Sequence, residues 1–330
     1  MRALSQYHPT RQAICQASWT SQAFWNRLPN SAAKDLRGQF QTPDRSTHEP
    51  SFLKHILEPD TPMPLIPLTN HSIFLEEAGS GESLVFLSGL GGDHRAFTVA
   101  QRHFAPRFRT IAIDNRDVGQ SSRLDGGYTI HDMAQDLADV LDHLEIPVAH
   151  LVGHSLGGMI AQEFTLSWPE RVRSLVLAST HCGGDPWRHA VLESWILQRH
   201  RLSAPEFAAA TLPWLVAPAF FASAPAQLEG LIRFAEKNPW PQDPSAFERQ
   251  ARAAMSFESR TRAGSISAST LVLVGQADLV NPPRNAWDLA RTIPNSQFEE
   301  LPDLGHLPHV EDSRAFRTAL ERFYLNLGLI

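Results

Sequence analysis

Gly153-His154-Ser155-Leu156-Gly157 constrains this 330-residue chain more than any other stretch. It lies between a short apolar run, Val148 to Val152, and a segment of helical apolar spacing from Met159 to Phe164. A strand therefore runs into a helix through a turn whose flanks admit only hydrogen as a side chain. Gly-x-Ser-x-Gly in that setting forces the serine into a strained backbone and lifts its hydroxyl to the carboxyl edge of a sheet, as a nucleophile elbow does. Gly158 extends the small-residue surface at the start of the helix.

The neighbouring segments fit such a sheet. Leu65 to Leu68 and Ser72 to Leu75 read as an antiparallel hairpin at its edge. Short, largely apolar runs come next at Leu84–Leu87, Thr110–Ile113, Val148–Val152, Ser174–Ala178 and Thr270–Val274, and Phe298 with Leu301 marks a last strand. Thr129 with Asp132 signals a capped helix start, after which Met133, Leu137, Val140, Leu141 and Leu144 share one face. Apolar strands alternating with helices predict an α/β fold, a mostly parallel sheet covered on both faces, with ligands beyond the carboxyl ends of its strands.

The expected organisation has four parts. Residues 1–62 read as an N-terminal extension: a transit peptide, a leader from a start upstream of Met63, or a poorly ordered segment. They carry Arg2, Arg11, Arg27 and Lys34 with no acidic residue before Asp35, and six prolines punctuate the stretch from Pro43 to Pro67. Residues 63–180 and 265–330 form the two parts of the core. Residues 181–264, rich in Trp and Phe and lacking a strand pattern, form a helical cap over the carboxyl edge.

Composition removes several classes. A net charge of −6 offers no basic stripe for nucleic acid, and no apolar run is long enough for a transmembrane helix. Two cysteines, Cys15 and Cys182, match neither a disulfide framework nor metal-ligand spacing, which favours a cytoplasmic location. No metal or cofactor is implied.

A serine hydroxyl needs a base, and the base an orienting acid, in the chain order Ser, acid, His for a fold of this kind. Gly305-His306 comes after the last strand, making His306 the base; His309 packs or caps beside it, and His154 orients or packs. Asp278 ends the strand Thr270–Val274 and is the expected acid, with Asp185 the next candidate and Asp303 too close to His306 in sequence. The developing oxyanion needs two backbone donors, here Leu90 N–H in Ser88-Gly-Leu-Gly-Gly and Leu156 N–H at the helix start. No lysine succeeds those glycines, so the loop is not a P-loop. Arg116, between Asp114 and Asp117, is expected to brace the floor of the site. Arg188, Arg199, His200 and Arg201 could steer an anionic substrate, but a solvated face of the cap is the commoner reading of such a run.

From about Met63 to Leu327 the chain resembles the α/β-hydrolase fold superfamily. Residues 153–161, 169–177, 271–278 and 305–311 resemble the 3-oxoadipate enol-lactonase and carboxylesterase branch. The resemblance puts the nucleophile, acid and base on Ser155, Asp278 and His306, and the oxyanion donors on Leu90 and Leu156. Two positions depart from the pattern: Ser88 stands where His-Gly is usual, and Asp117 replaces the first glycine of Asp-x-Arg-Gly-x-Gly-x-Ser. The implied activity is hydrolysis of a small-molecule ester, lactone or thioester by a carboxylic ester hydrolase. Alternatives on the same residues are cofactor-free haloperoxidase or perhydrolase chemistry and hydrolytic C–C cleavage; a non-catalytic ligand-binding protein is a third reading.

Overall fold

The structure, a computed structural model, describes residues 65–330. The readings for residues 1–62 lie outside the described residues.

Eight strands among the described residues form one sheet. They are β1 (Leu65–Pro67), β2 (Ser72–Ala78), β3 (Ser83–Leu87), β4 (Arg109–Ile113), β5 (Ala149–His154), β6 (Val172–Ala178), β7 (Ser269–Gly275) and β8 (Ser296–Leu301). The spatial order is β1-β2-β4-β3-β5-β6-β7-β8. The hairpin strands β1 and β2 pair antiparallel, β2 joins β4 antiparallel, and every later pairing is parallel. The expected edge hairpin and parallel sheet are both present.

Residues along a strand point alternately to opposite faces, so an all-apolar strand feeds two cores. Val85, Leu87, Leu151, Leu175, Leu177, Val272 and Val274 enter one of them. There they meet α2 (Ile130–His143), α3 (Leu156–Ser167) and α9 (Pro283–Thr292), through Leu137, Met159, Phe164 and Leu289. Leu84, Phe86, Val152, Val176, Leu271 and Leu273 enter the other, against α1 (Thr98–Phe104) and α11 (Ser313–Asn326), through Phe104, Phe316 and Phe323. Thr129 and Asp132 close the capping box that starts α2, and Met133, Leu137, Val140 and Leu141 are buried as the spacing predicts. Leu144 falls one residue past the last turn and is half-buried.

Between β6 and β7 the chain is helical: α4 (Pro186–Arg199), α5 (Ala204–Leu215), α6 (Pro218–Ser223), α7 (Pro225–Glu236) and α8 (Pro244–Ser256). Each begins at or beside a proline, whose fixed φ and missing N–H suit the first helical turn. The short helix α10 (Pro308–Glu311) precedes α11. No described helix is long and apolar enough to cross a membrane.

Candidate active site

Ser155 has φ 52° and ψ −117°, a left-handed strained backbone that a side chain rarely adopts. The strand β5 ends and α3 begins on this one residue. Its N–H donates to the Ala178 carbonyl of β6 (2.9 Å), and the Thr180 hydroxyl donates to its carbonyl (2.9 Å). The flanking glycines are steric requirements. A Cβ on Gly153 would sit 2.4 Å from the Gly157 carbonyl oxygen, and one on Gly157 would sit 2.0 Å from the Leu87 carbonyl oxygen.

The loop after β8 brings His306 back across the sheet edge. Its Nε2 lies 3.0 Å from Ser155 Oγ and its Nδ1 lies 2.8 Å from Asp278 Oδ2. The other carboxylate oxygen of Asp278 accepts from the Val280 and Asn281 amides at 2.9 and 2.8 Å. With Nδ1–H donated to the carboxylate, Nε2 presents a lone pair to the serine hydroxyl. All three side chains are buried. Approach of the loop depends on Gly275, where a Cβ would meet the Gly305 carbonyl at 2.1 Å.

His154 and His309 have the orienting and packing places expected of them. His154 Nε2–H donates to the His306 carbonyl (2.7 Å), and His309 stacks on Phe97 with ring centroids 4.9 Å apart and abuts His154 at 4.6 Å. Burial, then the charges of His309 and His306, holds the His154 pKa well below the ordinary imidazole range; burial and then His306 push His309 down to about 3. Both stay neutral, leaving no fixed cation behind the serine.

The Ser88–Gly92 loop runs beside the elbow. A Cβ on Gly89 would lie 2.9 Å from His154 Nδ1 and 3.2 Å from Ser155 Cβ, so the backbone carrying Leu90 N–H passes next to the serine. Leu156 supplies the first amide of α3. The loop is braced by Asn115, whose amide donates to the Ser88 carbonyl (3.2 Å), and by Gln250 of α8, which accepts from Gly91 N–H (3.1 Å).

Sequence reasoning missed Glu311. Its carboxylate accepts from Gly305 N–H (2.9 and 3.0 Å), Leu307 N–H (3.3 Å) and Ala217 N–H (2.7 Å), while the Leu215 carbonyl accepts from His306 N–H (2.9 Å). The His306 loop is thus tied to the segment joining α5 and α6. Burial raises the Glu311 pKa against the opposing pull of those amides. The only signal in the sequence was a carboxylate six residues past Gly305.

Arg116 braces the floor as expected, but through Asp136 of α2, with two bonds of 2.6 Å, and not through the aspartates beside it. Asp114 instead accepts from His94 Nδ1–H and N–H, each at 2.7 Å. Asp117 occupies the position of the usual glycine with φ 69°, and its buried carboxylate makes a two-point pair with Arg249 of α8 at 2.8 and 2.9 Å. The replacement keeps a glycine-like backbone and gains an anchor for the helical segment. Asp117→Ala is expected to cost about 3–5 kcal/mol, because it strands Arg249 and the Leu124 amide that also donates to this carboxylate. Asp117→Gly should cost less, as it relieves the strain; equal stability of both variants to wild type in urea unfolding would remove the anchoring role.

Asp93, His94 and Asp114 bring possible ligand atoms within 4.8 Å of one another. Arg95 already covers both Asp93 oxygens (3.0 and 2.5 Å), so the donor set is spent in ion pairs. Burial opposes protonation of His94, but the hydrogen bond and charge of Asp114, with Asp93 and Glu76, outweigh it and raise its pKa above 6.5. A raised folded pKa means that this stabilisation is complete below the ordinary imidazole value and declines as pH rises through the folded one. The Tm gap between wild type and His94→Gln should therefore narrow from about pH 5.5 to pH 8.5; a gap that widens would contradict the pairing.

Two other expectations are corrected. Asp185 caps α4, accepting from Trp187 N–H (2.9 Å) and Asn285 (3.0 Å), while the carboxylate bonded to His306 is that of Asp278. Arg188 is not on a solvated face: it is 1% exposed. It stands one turn before Val191 and Leu192 on the inward stripe of α4, whereas Arg201 is exposed and His200 pairs with Glu248 near the surface.

Sheet order, crossover helices and the strained serine between β5 and α3 define a doubly wound α/β protein with Ser155, His306 and Asp278 gathered at the carboxyl edge. The chain belongs to the alpha/beta hydrolase fold family, which matches residues 82–313, and it is a hydrolase. It is 32% identical over 255 residues to a protein of Variovorax paradoxus described as a carbamate hydrolase, RutD, covering 74% of this chain and 91% of that one. It is 28% identical to 3-oxoadipate enol-lactonase 2 of Acinetobacter baylyi, over 77% of this chain and 94% of that one. A thermophilic esterase from Thermogutta terrifontis superposes with a TM-score of 0.71 at 26% identity, covering 80% of this chain and 97% of the esterase.

Proposed function

We propose that this hydrolase is a serine esterase or lactonase that cleaves small carboxylic esters, lactones or thioesters through an acyl-enzyme. The supporting observation is the unbroken chain from Ser155 Oγ through both nitrogens of His306 to Asp278, at 3.0 and 2.8 Å. Ser155 Oγ attacks the carbonyl carbon as its proton passes to His306 Nε2, and Asp278 stabilises the imidazolium that forms. The carbonyl oxygen takes the negative charge toward the Leu90 and Leu156 amides. On collapse, His306 returns the proton to the leaving alkoxide or thiolate, leaving Ser155 acylated. Water, deprotonated by His306, then releases the acid and restores the hydroxyl.

The enol-lactonase relative and the esterase neighbour are consistent with an ester or lactone substrate. A fluorophosphonate probe should label Ser155 in the folded protein, read by mass of the modified peptide, and p-nitrophenyl butyrate should compete with it. Absence of labelling would sink the proposal.

A further inference from the structure

The inward stripe of α4 reads Arg188, Val191, Leu192, Trp195, Ile196, all buried. At the first of these positions, where packing against α8 and the core calls for a hydrophobe, the chain puts a guanidinium. None of the three nitrogens of Arg188 has a hydrogen-bond partner. The two carboxylates whose charge reaches it are engaged elsewhere: Asp185 by Trp187 and Asn285, Glu258 by the amides of Gly184 and Arg260. They favour the Arg188 charge from outside contact distance, yet burial still pushes its pKa down to about 10. It remains a cation at neutral pH, and a buried cation without a contact anion is among the costlier things a core can hold.

A second orphan donor stands close by. His181 is 1% exposed, and its Nδ1 accepts from Gly183 N–H (2.9 Å). That bond puts the ring proton on Nε2, which is buried and has no acceptor. Burial and then the Arg188 charge keep the ring neutral, so this tautomer persists. His189 Nε2 is a further buried nitrogen without a partner. The positively charged neighbours of His181 are Arg188 and Arg260.

His181 connects this pair to the backbone of the serine and to an opening. Thr180, which bonds the Ser155 carbonyl, immediately precedes His181, and Gln162 of α3 donates to the His181 carbonyl (3.1 Å). His181 also lines a cleft of about 270 Å³ with Cys182, Asp185, Arg260 and Arg284.

We propose that Arg188 and His181 form a buried binding site for a carboxylate, the guanidinium giving two parallel N–H bonds and His181 Nε2–H a third. Resting on the esterase or lactonase reading, the site selects substrates that carry a carboxylate besides the bond to be cleaved, such as half-esters of short dicarboxylic acids. Closing a charge-assisted pair in a buried site favours such a substrate over its neutral isostere about 10- to 100-fold.

The full chain is assayed with p-nitrophenyl hydrogen glutarate and p-nitrophenyl pentanoate, which have the same leaving group and similar length. Wild type should prefer the glutarate half-ester in kcat/KM, and the glutarate-to-pentanoate ratio should fall about tenfold or more in Arg188→Met, with Arg188→Lys between them. An unchanged ratio in folded Arg188→Met overturns the proposal. Should that variant not fold, wild type alone decides: free glutarate must inhibit competitively and more tightly than its neutral isostere glutaramide, and equal inhibition overturns it.

A Tm titration with sodium glutarate against sodium chloride at matched ionic strength separates the possible sources of the anion. Stabilisation by glutarate alone supports a carboxylate site, and equal stabilisation by chloride overturns it in favour of an inorganic anion. Competitive inhibition assigns the carboxylate to the substrate, and non-competitive inhibition overturns that assignment. If neither ester is cleaved, the Ser155 reading fails, while the titration still tests Arg188.

Discussion

Ser155→Ala is expected to reduce turnover of p-nitrophenyl butyrate by about 10⁴- to 10⁶-fold while leaving the fold intact. The fold should survive because the elbow is held by backbone and neighbours: Ser155 N–H to Ala178, Thr180 to the Ser155 carbonyl, and the close passage of Gly157 beneath Leu87. None of these uses the hydroxyl. Chemistry should fail because His306 Nε2 loses the hydroxyl bonded to it. Residual activity would come from the Leu90 and Leu156 amides alone, acting on direct attack by water. Steady-state rates of wild type and variant, with circular dichroism to verify folding, give the answer. A variant within tenfold of wild type would show that another group attacks, and the proposed acyl-enzyme would have to be abandoned.

Asp278→Asn should lower kcat by about 10³- to 10⁴-fold with little change in stability. The cause is the tautomer. Asp278 can only accept, so His306 Nδ1 must carry the proton and Nε2 is free to take one from serine. An asparagine can keep its oxygen toward the Val280 and Asn281 amides, which then turns its NH₂ toward His306. The imidazole must now accept at Nδ1, the proton moves to Nε2, and the base is disabled. The effect should fall on kcat far more than on KM, because no substrate contact is removed. A rise in KM with kcat preserved would argue that Asp278 only shapes the loop. Asp185→Asn, at the cap of α4, should leave kcat near wild type.

Those expectations rest on residues legible in the sequence for local reasons. Ser155 was visible because glycines flank it where a strand meets a helix, and the close contacts at Gly153 and Gly157 explain the spacing. Asp278 was visible because it succeeds the apolar strand β7, and His306 because it comes after the last strand β8, and parallel strands deliver such residues to one edge. The capping box at Thr129 and the buried face of α2 were equally local.

Other members of the site were written in the same alphabet as surface residues. Arg188 and Arg201 look alike in sequence; one is buried on the inward stripe of α4, and the other is exposed just past its end. Glu311 looks like an ordinary helical glutamate until the loop holding His306 folds over it. Asp117 reads as a departure from pattern until Arg249, 132 residues away, supplies its partner. Asp185 and Asp278 both come after sheet strands, and only the path of the intervening chain makes one a helix cap and the other the partner of His306.

The amino-acid sequence by itself determined the alternation of strand and helix, the elbow and the three side chains proposed to react, because these depend on backbone sterics and on apolar spacing over a few residues. The tertiary structure alone decided how the serine and an imidazole 151 residues apart come within 3.0 Å, how the helical segment is tied to the His306 loop, and which arginine is sealed inside. Contacts of that kind are set by how whole elements pack against one another, and no local propensity encodes them.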